Sequence, residues 1–95
     1  MASKAEATRW LHAHVGQDID TVQIRTWGDK GLTATWAPGP RPLTAFGKTG
    51  FVLGQSHVVI SRTHVITGVS PTALVMEWHD EDGTLIHTTT YRVVT

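Results

Sequence analysis

The 95-residue chain contains no cysteine. Without thiols it can form neither a disulfide framework nor a thiolate metal site, and this absence suits a reducing compartment. No apolar run approaches the roughly 20 residues that a membrane-spanning helix needs, and the first residues lack the apolar segment of a secretory signal peptide. The sequence therefore predicts a cytoplasmic protein without a membrane partner.

Acidic residues are missing from residues 31–76. Four cationic side chains lie in or beside this acid-free segment: Lys30, Arg41, Lys48 and Arg62. Because the formal net charge of the whole chain is zero, a general affinity for polyanions is disfavoured. Asparagine is also absent and arginine outnumbers lysine, a bias that is typical of high-GC coding sequences such as those of actinobacteria or their phages.

No catalytic motif is present. Residues 46–50 contain the Gly-Lys-Thr triplet of a phosphate-binding loop, but Pro42 stands where such a loop needs its first glycine. Ser56 and Ser61 lack the glycine-flanked elbow of serine hydrolases, and residues 80–83 lack the 12-residue pattern of a calcium-binding loop. These absences favour a non-enzymatic protein that uses no cofactor.

Six histidines in so short a chain raise the question of a metal site. His12 and His14 are two residues apart on a predicted helix, so their side chains point to different sides of it. Four others lie on or beside predicted strands: His57, His64, His79 and His87. Neighbouring strands lie about 4.8 Å apart, so these could meet only by a coincidence of register. We expect them to pair with threonine or water, and we predict no metal.

One helix is predicted near the N-terminus. Ser3 and Glu6 form a capping box, apolar residues then recur at helical spacing, and Gly16 suits the left-handed residue that ends a helix. About 12 residues make too short a helix to be stable alone, so its apolar stripe must pack on the rest of the chain through Trp10 and Leu11.

After this helix the apolar residues alternate with a period of two, which predicts antiparallel strands. Residues 21–27 and 32–36 form a first hairpin about a glycine-containing turn. Residues 37–42 carry three prolines, which supply no N–H group to a strand ladder, so this segment is predicted to be an exposed loop.

The second half of the chain is predicted to continue as a meander. Glycines divide residues 43–54 into short strands or one bulged strand. Residues 57–60 and 65–67 form either one long bent strand or a tight pair, and the sequence does not decide between these. Residues 74–78 and 85–94 form a final hairpin.

This order predicts an α+β fold in a single domain over residues 1–95. One N-terminal helix packs on a curled antiparallel β-sheet or a small β-barrel of five to seven strands. Because one helix cannot cover both faces of such a sheet, the second face is either solvated or in contact with another subunit.

Aromatic and basic side chains on the first hairpin are the main binding candidates. By alternation, Trp27 lies on the opposite face of its strand from Val22 and Ile24. If that face is exposed, Arg25, Trp27 and Lys30 form a protein-binding surface, since tryptophan and arginine dominate interface hot spots. If both faces of the sheet are covered, Trp27 belongs to the core.

The sequence thus favours a small non-enzymatic protein-interaction module that forms homo-oligomers, of the inhibitor, immunity or assembly type found in bacteria and phages. The alternative is a nucleic-acid-binding small β-barrel that follows a phosphate backbone with Lys30, Arg41, Lys48 and Arg62. A third hypothesis is a small-molecule pocket between the helix and the sheet, lined by Trp10, Trp36, Met76 and Trp78.

Overall fold

The computed structural model describes residues 2–27, 32–47 and 49–94. Over these ranges the chain forms one helix and eight strands of an antiparallel sheet. In chain order the elements are α1 (Lys4–His14), β1 (Asp18–Trp27), β2 (Leu32–Trp36), β3 (Arg41–Gly47), β4 (Gly50–Leu53), β5 (Ser56–Val59), β6 (His64–Val69), β7 (Ala73–His79) and β8 (Leu85–Val93). The α+β class and the N-terminal helix are confirmed. The expected five to seven strands were too few, because residues 41–59 alone contain three short strands.

Helix α1 is capped as the sequence predicts. The backbone N–H of Glu6 donates to Oγ of Ser3 at 3.2 Å, and the Ser3 N–H donates to Oε1 of Glu6 at 3.3 Å, which completes the reciprocal capping box. Gly16 follows the helix with a φ of 91°, a left-handed conformation that glycine adopts without steric cost. Its N–H donates to the carbonyl of Leu43 at 2.7 Å, so the end of α1 is fixed to β3.

Trp10 and Leu11 anchor α1 to the sheet, as predicted. Both side chains are buried, and Nε1 of Trp10 donates to the carbonyl of Ser70 at 2.9 Å. The helix lies against β3 and β6, and Nζ of Lys4 donates to the carbonyl of Ser61 at 2.9 Å. The apolar core between α1 and the sheet is completed by Ala7, Ile19, Leu43, Phe51, Leu53, Ile60, Ile66, Leu74, Met76 and Tyr91.

Strand β1 is the longest strand and organises the sheet, whose order is β5-β4-β3-β1-β8-β7-β6. One edge of β1 pairs with β8 over residues 19–25. The other edge pairs first with β3 at residues 18–19 and then with β2 at residues 23–27. Within the described residues β2 has no partner except β1, so its second edge is open.

Strands β5 and β6 follow each other in the chain but lie at opposite ends of the strand order. Residues 60–63 alone connect them, so the sheet curls until its two outer strands approach each other. No ladder joins β5 to β6 in the part of the chain that the structure describes. The sheet is therefore open rather than a closed barrel, and residues 57–67 form neither one bent strand nor a tight pair.

The inner face of the curled sheet changes from apolar to polar along its strands. Residues that pair across β1, β8 and β7 form three rows: Thr21–Tyr91–Leu74, Gln23–Thr89–Met76 and Arg25–His87–Trp78. The first row is almost fully buried, whereas Gln23 in the second is half-buried and Arg25 in the third is exposed. On the outer face of β1, Ile24 is 46% exposed. The concave face of β1 is therefore the one that carries Thr21, Gln23 and Arg25, opposite Val22 and Ile24.

The glycines of the β3–β4 hairpin give a matched test of this packing. A Cβ atom added at Gly50 would collide with the backbone carbonyl of Val58 on β5, whereas one added at Gly47 meets no atom within 4 Å. We expect Gly50→Ala to lower the free energy of unfolding by about 1–3 kcal/mol, the usual cost of overpacking. Gly47→Ala should be neutral or stabilise by up to about 1 kcal/mol. Equal values for the two variants in denaturant titrations would contradict this arrangement of β4 against β5.

Candidate functional site

The predicted interface residues fall only partly within the described structure. Arg25 is exposed on β1, where its Nε donates to Oε1 of Gln23 at 2.8 Å. The backbone of Trp27 pairs with that of Leu32, but its side chain lies outside the described part, as does all of Lys30. The grouping of these residues into one binding surface therefore stays a prediction.

Two of the four predicted nucleic-acid contacts, Arg41 and Arg62, lie within the described structure. Arg41 begins β3 and lines a cleft on the concave face. Arg62 is exposed in the turn between β5 and β6 and does not line that cleft. Lys30 and Lys48 lie outside the described residues. The Gly-Lys-Thr triplet belongs to the β3–β4 hairpin, in which Gly47 pairs with Gly50.

The cleft occupies the part of the concave face that α1 leaves uncovered. It has a volume of about 210 Å³, and no residue of α1 lines it. One wall is the polar inner face of β1 and β8, and the other is formed by β2, β3 and β5. The lining residues are Thr21, Gln23, Trp36, Arg41, Ser56, His57, Val58, His64, Met76, His87, Thr89 and Tyr91. Trp36 and Met76 are shared with the hypothesised small-molecule pocket, whereas Trp10 and Trp78 are not among them.

Arg41 is the cation of the cleft. Its guanidinium carbon lies 5.4 Å from the ring centroid of Trp36, within cation–π distance, and its Nη1 donates to Oγ of Ser56 at 3.1 Å. Its Nε is buried and has no hydrogen-bond acceptor among the described residues. No carboxylate lines the cleft in the described structure, so the charge of Arg41 has no counter-ion there.

Thr21 places a second unsatisfied polar atom in the same cleft. Its side chain is 1% exposed, and its Oγ1 has no hydrogen-bond partner among the described residues. Leaving one such atom buried and unpaired costs about 1–3 kcal/mol. Close by, burial raises the pKa of Tyr91 to about 12 even though the charge of Arg41 opposes this shift, so the phenol stays protonated at neutral pH.

Two histidines and a tryptophan form an aromatic cluster on the third row. The ring of His87 lies 5.3 Å from that of Trp78 and 6.4 Å from that of His64. The backbone N–H of Ser61 donates to Nδ1 of His64 at 3.0 Å, which places the proton of the neutral imidazole on Nε2. Burial lowers the pKa of His64, and His87 and the charge of Lys4 lower it further.

The other strand histidines lie in three different environments. Burial lowers the pKa of His87, with a further contribution from the charge of Arg25. His57 is exposed at the cleft. His79 lies apart, with its Nε2 3.0 Å from Oε1 of Glu77, and its pKa is raised by the carbonyl of Gly83 and then by Glu77. In the described ranges no three His, Asp or Glu side chains come together as a metal site.

Strand β2 is exposed wherever its side chains are described. Residues 33–36 of β2 are exposed on both faces, including Trp36 at 47%. The described strand carries only threonine, alanine, leucine and tryptophan, without a charge or a proline. Trp36 belongs to both features, because it lies on the open strand and lines the cleft.

Comparisons with protein-family models, with curated proteins and with solved structures find no match for this chain. Among the described residues, no helix has both the length and the apolar character needed to cross a membrane. Function must therefore be argued from the two features above.

Sequence reasoning missed most of the cleft. It named Arg41 only as a phosphate contact, and it did not single out Thr21, Gln23, Thr89 or Tyr91. The available signal was the alternation on β8, where His87, Thr89 and Tyr91 share one face. Pairing with β1 and β7 on its two edges makes β8 a central strand of the sheet.

The histidines predict a specific dependence of stability on pH. The pKa of His64 is lowered by folding, so its contribution is fully present above the unfolded value of about 6.5 and is lost as the pH falls through the folded pKa. The contribution of His79 to stability depends on pH in the opposite direction. Its pKa is raised by folding, so this contribution is fully present below the unfolded value of about 6.5 and is lost as the pH rises through the folded pKa.

We therefore expect His64→Asn, which keeps an acceptor near the position of Nδ1, to weaken the loss of stability between pH 7 and pH 5. His79→Gln should instead make that loss steeper. The free energy of unfolding, measured by denaturant titration at each pH, checks both signs. Parallel pH profiles for wild type and His64→Asn would contradict the burial of His64.

Proposed function

We propose that the protein is a non-enzymatic protein-interaction module that assembles as a homodimer through the open edge of β2. The observation that carries this proposal is that β2 pairs only with β1 among the described residues while its residues 33–36 are exposed. An exposed strand edge presents a row of unpaired N–H and C=O groups to another strand.

The chemistry of β2 favours such pairing. Natural edge strands are usually protected by lysine, proline, a bulge or a covering element, and the sequence LTATW has no charge and no proline. The register of β2 on β1 is continuous over all five of its residues, so no bulge interrupts the edge. This strand therefore lacks the usual features that prevent edge-to-edge association.

A second copy of the same chain is the partner that this edge fits best. Antiparallel pairing of two identical strands is two-fold symmetric, and such closed dimers are the commonest homo-oligomers. With the axis at Ala34, Thr33 of each copy lies opposite Thr35 of the other, and threonine pairs are favourable across antiparallel strands. Ile24 and Trp36, which are 46% and 47% exposed, lie beside this edge and can lose exposed surface on pairing.

The same geometry supports a non-enzymatic role. The hydroxyl of Ser61 lies 2.9 Å from Nδ1 of His64, but serine nucleophiles are activated by a histidine that a third group orients. Among the described residues the hydrogen-bond partner of His64 is Ser61, and no carboxylate bonds to its ring. An inhibitor, immunity or assembly role in the reducing cytoplasm, for which a cysteine-free chain is suited, remains part of the proposal.

The nucleic-acid alternative is less well supported. Of its four predicted contacts, Arg41 lines the cleft and Arg62 does not, while Lys30 and Lys48 lie outside the described residues. A phosphate backbone requires several cations in a row, whereas the described lining of the cleft offers one guanidinium. This geometry suits a single anionic group better than a strand of nucleic acid.

Charged substitutions at Ala34 test the dimer. Wild type should have the mass of a dimer by native mass spectrometry, whereas Ala34→Lys and Ala34→Glu should each be monomeric, because like charges directly opposite each other on paired strands are destabilising. Mixing the two variants should restore a dimer that contains one copy of each. Circular dichroism spectra identical to that of wild type would show that each variant is folded.

Cysteine substitution gives an independent readout because the natural chain has no thiol. Under mild oxidation Ala34→Cys should form a covalent dimer, since residues opposite each other across the axis are within disulfide distance. Val59→Cys on the outer strand β5 is the control, because Val59 is equally accessible at 54%. A monomeric wild type, or equal cross-linking of the two variants, would overturn the proposal.

A further inference from the structure

The cleft contains two polar atoms that protein groups leave unsatisfied, and both point to a missing hydrogen-bonding ligand. Nε of Arg41 needs an acceptor and Oγ1 of Thr21 can donate or accept, and neither has a partner among the described residues. Buried polar groups in folded proteins are almost always paired. Two such exceptions in the described lining of one cleft make it the place where a bound molecule would supply hydrogen-bond partners.

The hydrogen bonds of Arg41 define which side of the guanidinium remains available. Nη1 donates to Oγ of Ser56, and the guanidinium carbon lies within cation–π distance of the Trp36 ring. The Nε and Nη2 hydrogens point in one direction and form the side-on edge that binds both oxygens of a carboxylate. Nε is buried and has no acceptor among the described residues, so a bidentate oxyanion satisfies this edge once the Arg41 side chain turns towards the cleft.

Charge matching selects a monoanion. Arg41 is the permanent cation among the described lining residues, and none of them is acidic. A carboxylate would neutralise it, whereas a phosphate dianion would leave one negative charge uncompensated in a partly enclosed site. Arg25 beside His87 and Lys4 beside His64 add positive potential at the edge of the cleft, which attracts an anion of either type.

Size and lining define the rest of the ligand. The cleft volume of about 210 Å³ lies between an engineered cavity of about 150 Å³ that holds benzene and the lower limit of about 300 Å³ for drug-sized pockets. Trp36, Val58 and Met76 supply apolar surface. We infer that the cleft is a binding site for a small carboxylate with a planar or short apolar body, held by the side-on edge of Arg41 and the hydroxyl of Thr21.

Trp36 belongs both to this site and to the edge of the proposed dimer, but Ala34, the position that tests the dimer, does not line the cleft. Its carboxylate has two sources: a free small molecule, or the C-terminus of a peptide whose last side chain occupies the apolar part. Benzoate represents the first source and N-acetylphenylalanine the second. Benzamide, which has the shape of benzoate without its charge, is the control ligand.

The test is a titration of the ¹⁵N-labelled protein with each probe, followed by NMR. Benzoate should shift the signals of residues 21, 23, 41 and 89, and benzamide should bind about tenfold more weakly or worse, because it lacks the charged hydrogen-bonded pair. Tighter binding of N-acetylphenylalanine than of benzoate would identify a peptide terminus as the source, and the reverse would identify a free small molecule. Inorganic phosphate should bind more weakly than benzoate.

Four variants test the location of the site. Arg41→Gln should reduce benzoate affinity about tenfold or more, whereas Arg62→Gln, which removes an exposed cation outside the cleft, should leave it unchanged. Thr21→Val should reduce the affinity without lowering thermal stability, because it removes an unpaired hydroxyl. Ala34→Lys should bind benzoate like wild type, so failure of the dimer proposal and failure of this inference are separate results.

Any of three results would overturn the inference. The first is the absence of shifts at the cleft residues with both carboxylates, and the second is equal affinities for benzoate and benzamide. The third is a Thr21→Val variant with lower stability and unchanged benzoate affinity, since that would show that Thr21 and Arg41 satisfy each other within the folded chain.

Discussion

The structure depends on the mismatch between one short helix and the long strands on which it packs. A helix of 11 residues is about 16 Å long at 1.5 Å per residue, whereas the 10 residues of β1 extend about 33 Å. The helix lies against β3 and β6 and cannot reach the far ends of β1 and β8. The apolar core therefore stops part-way along the concave face, and the uncovered part must be polar or bind another molecule.

This constraint explains the order of side chains along the inner face. Where α1 and the core cover the sheet, the inner residues are apolar or, like Tyr91, mostly so. Towards the open end the same alternation supplies Gln23, His87 and Arg25. The cleft is thus the continuation of the core, and the unpaired atoms of Thr21 and Arg41 lie where the buried and accessible parts meet. Strand β2 pairs with residues 23–27 of β1 on the edge where β3 occupies only residues 18–19.

Local signals in the sequence predicted the local structure well. The capping box of Ser3 and Glu6, the left-handed Gly16 and the first and last hairpins were all recognisable, because each depends on residues close together in the chain. The cleft depends on which distant strands become neighbours, and that is not encoded by alternation alone. The sequence identifies Arg41 as a cation. Its hydrogen bond to Ser56 and its cation–π contact with Trp36 form only because the sheet curls. The separation of β5 from β6 was unpredictable for the same reason.

The central claim is that α1 leaves the far part of the concave face open to solvent. Broadening of NMR signals by a soluble paramagnetic agent tests this claim directly. The side-chain amide of Gln23, which bonds Thr89 in the cleft, should be broadened far more than the indole N–H of Trp10, whose side chain is only 5% exposed and bonds the carbonyl of Ser70. Equal protection of the two groups would mean that the concave face is covered along its whole length, and would contradict this account of the fold and of its binding cleft.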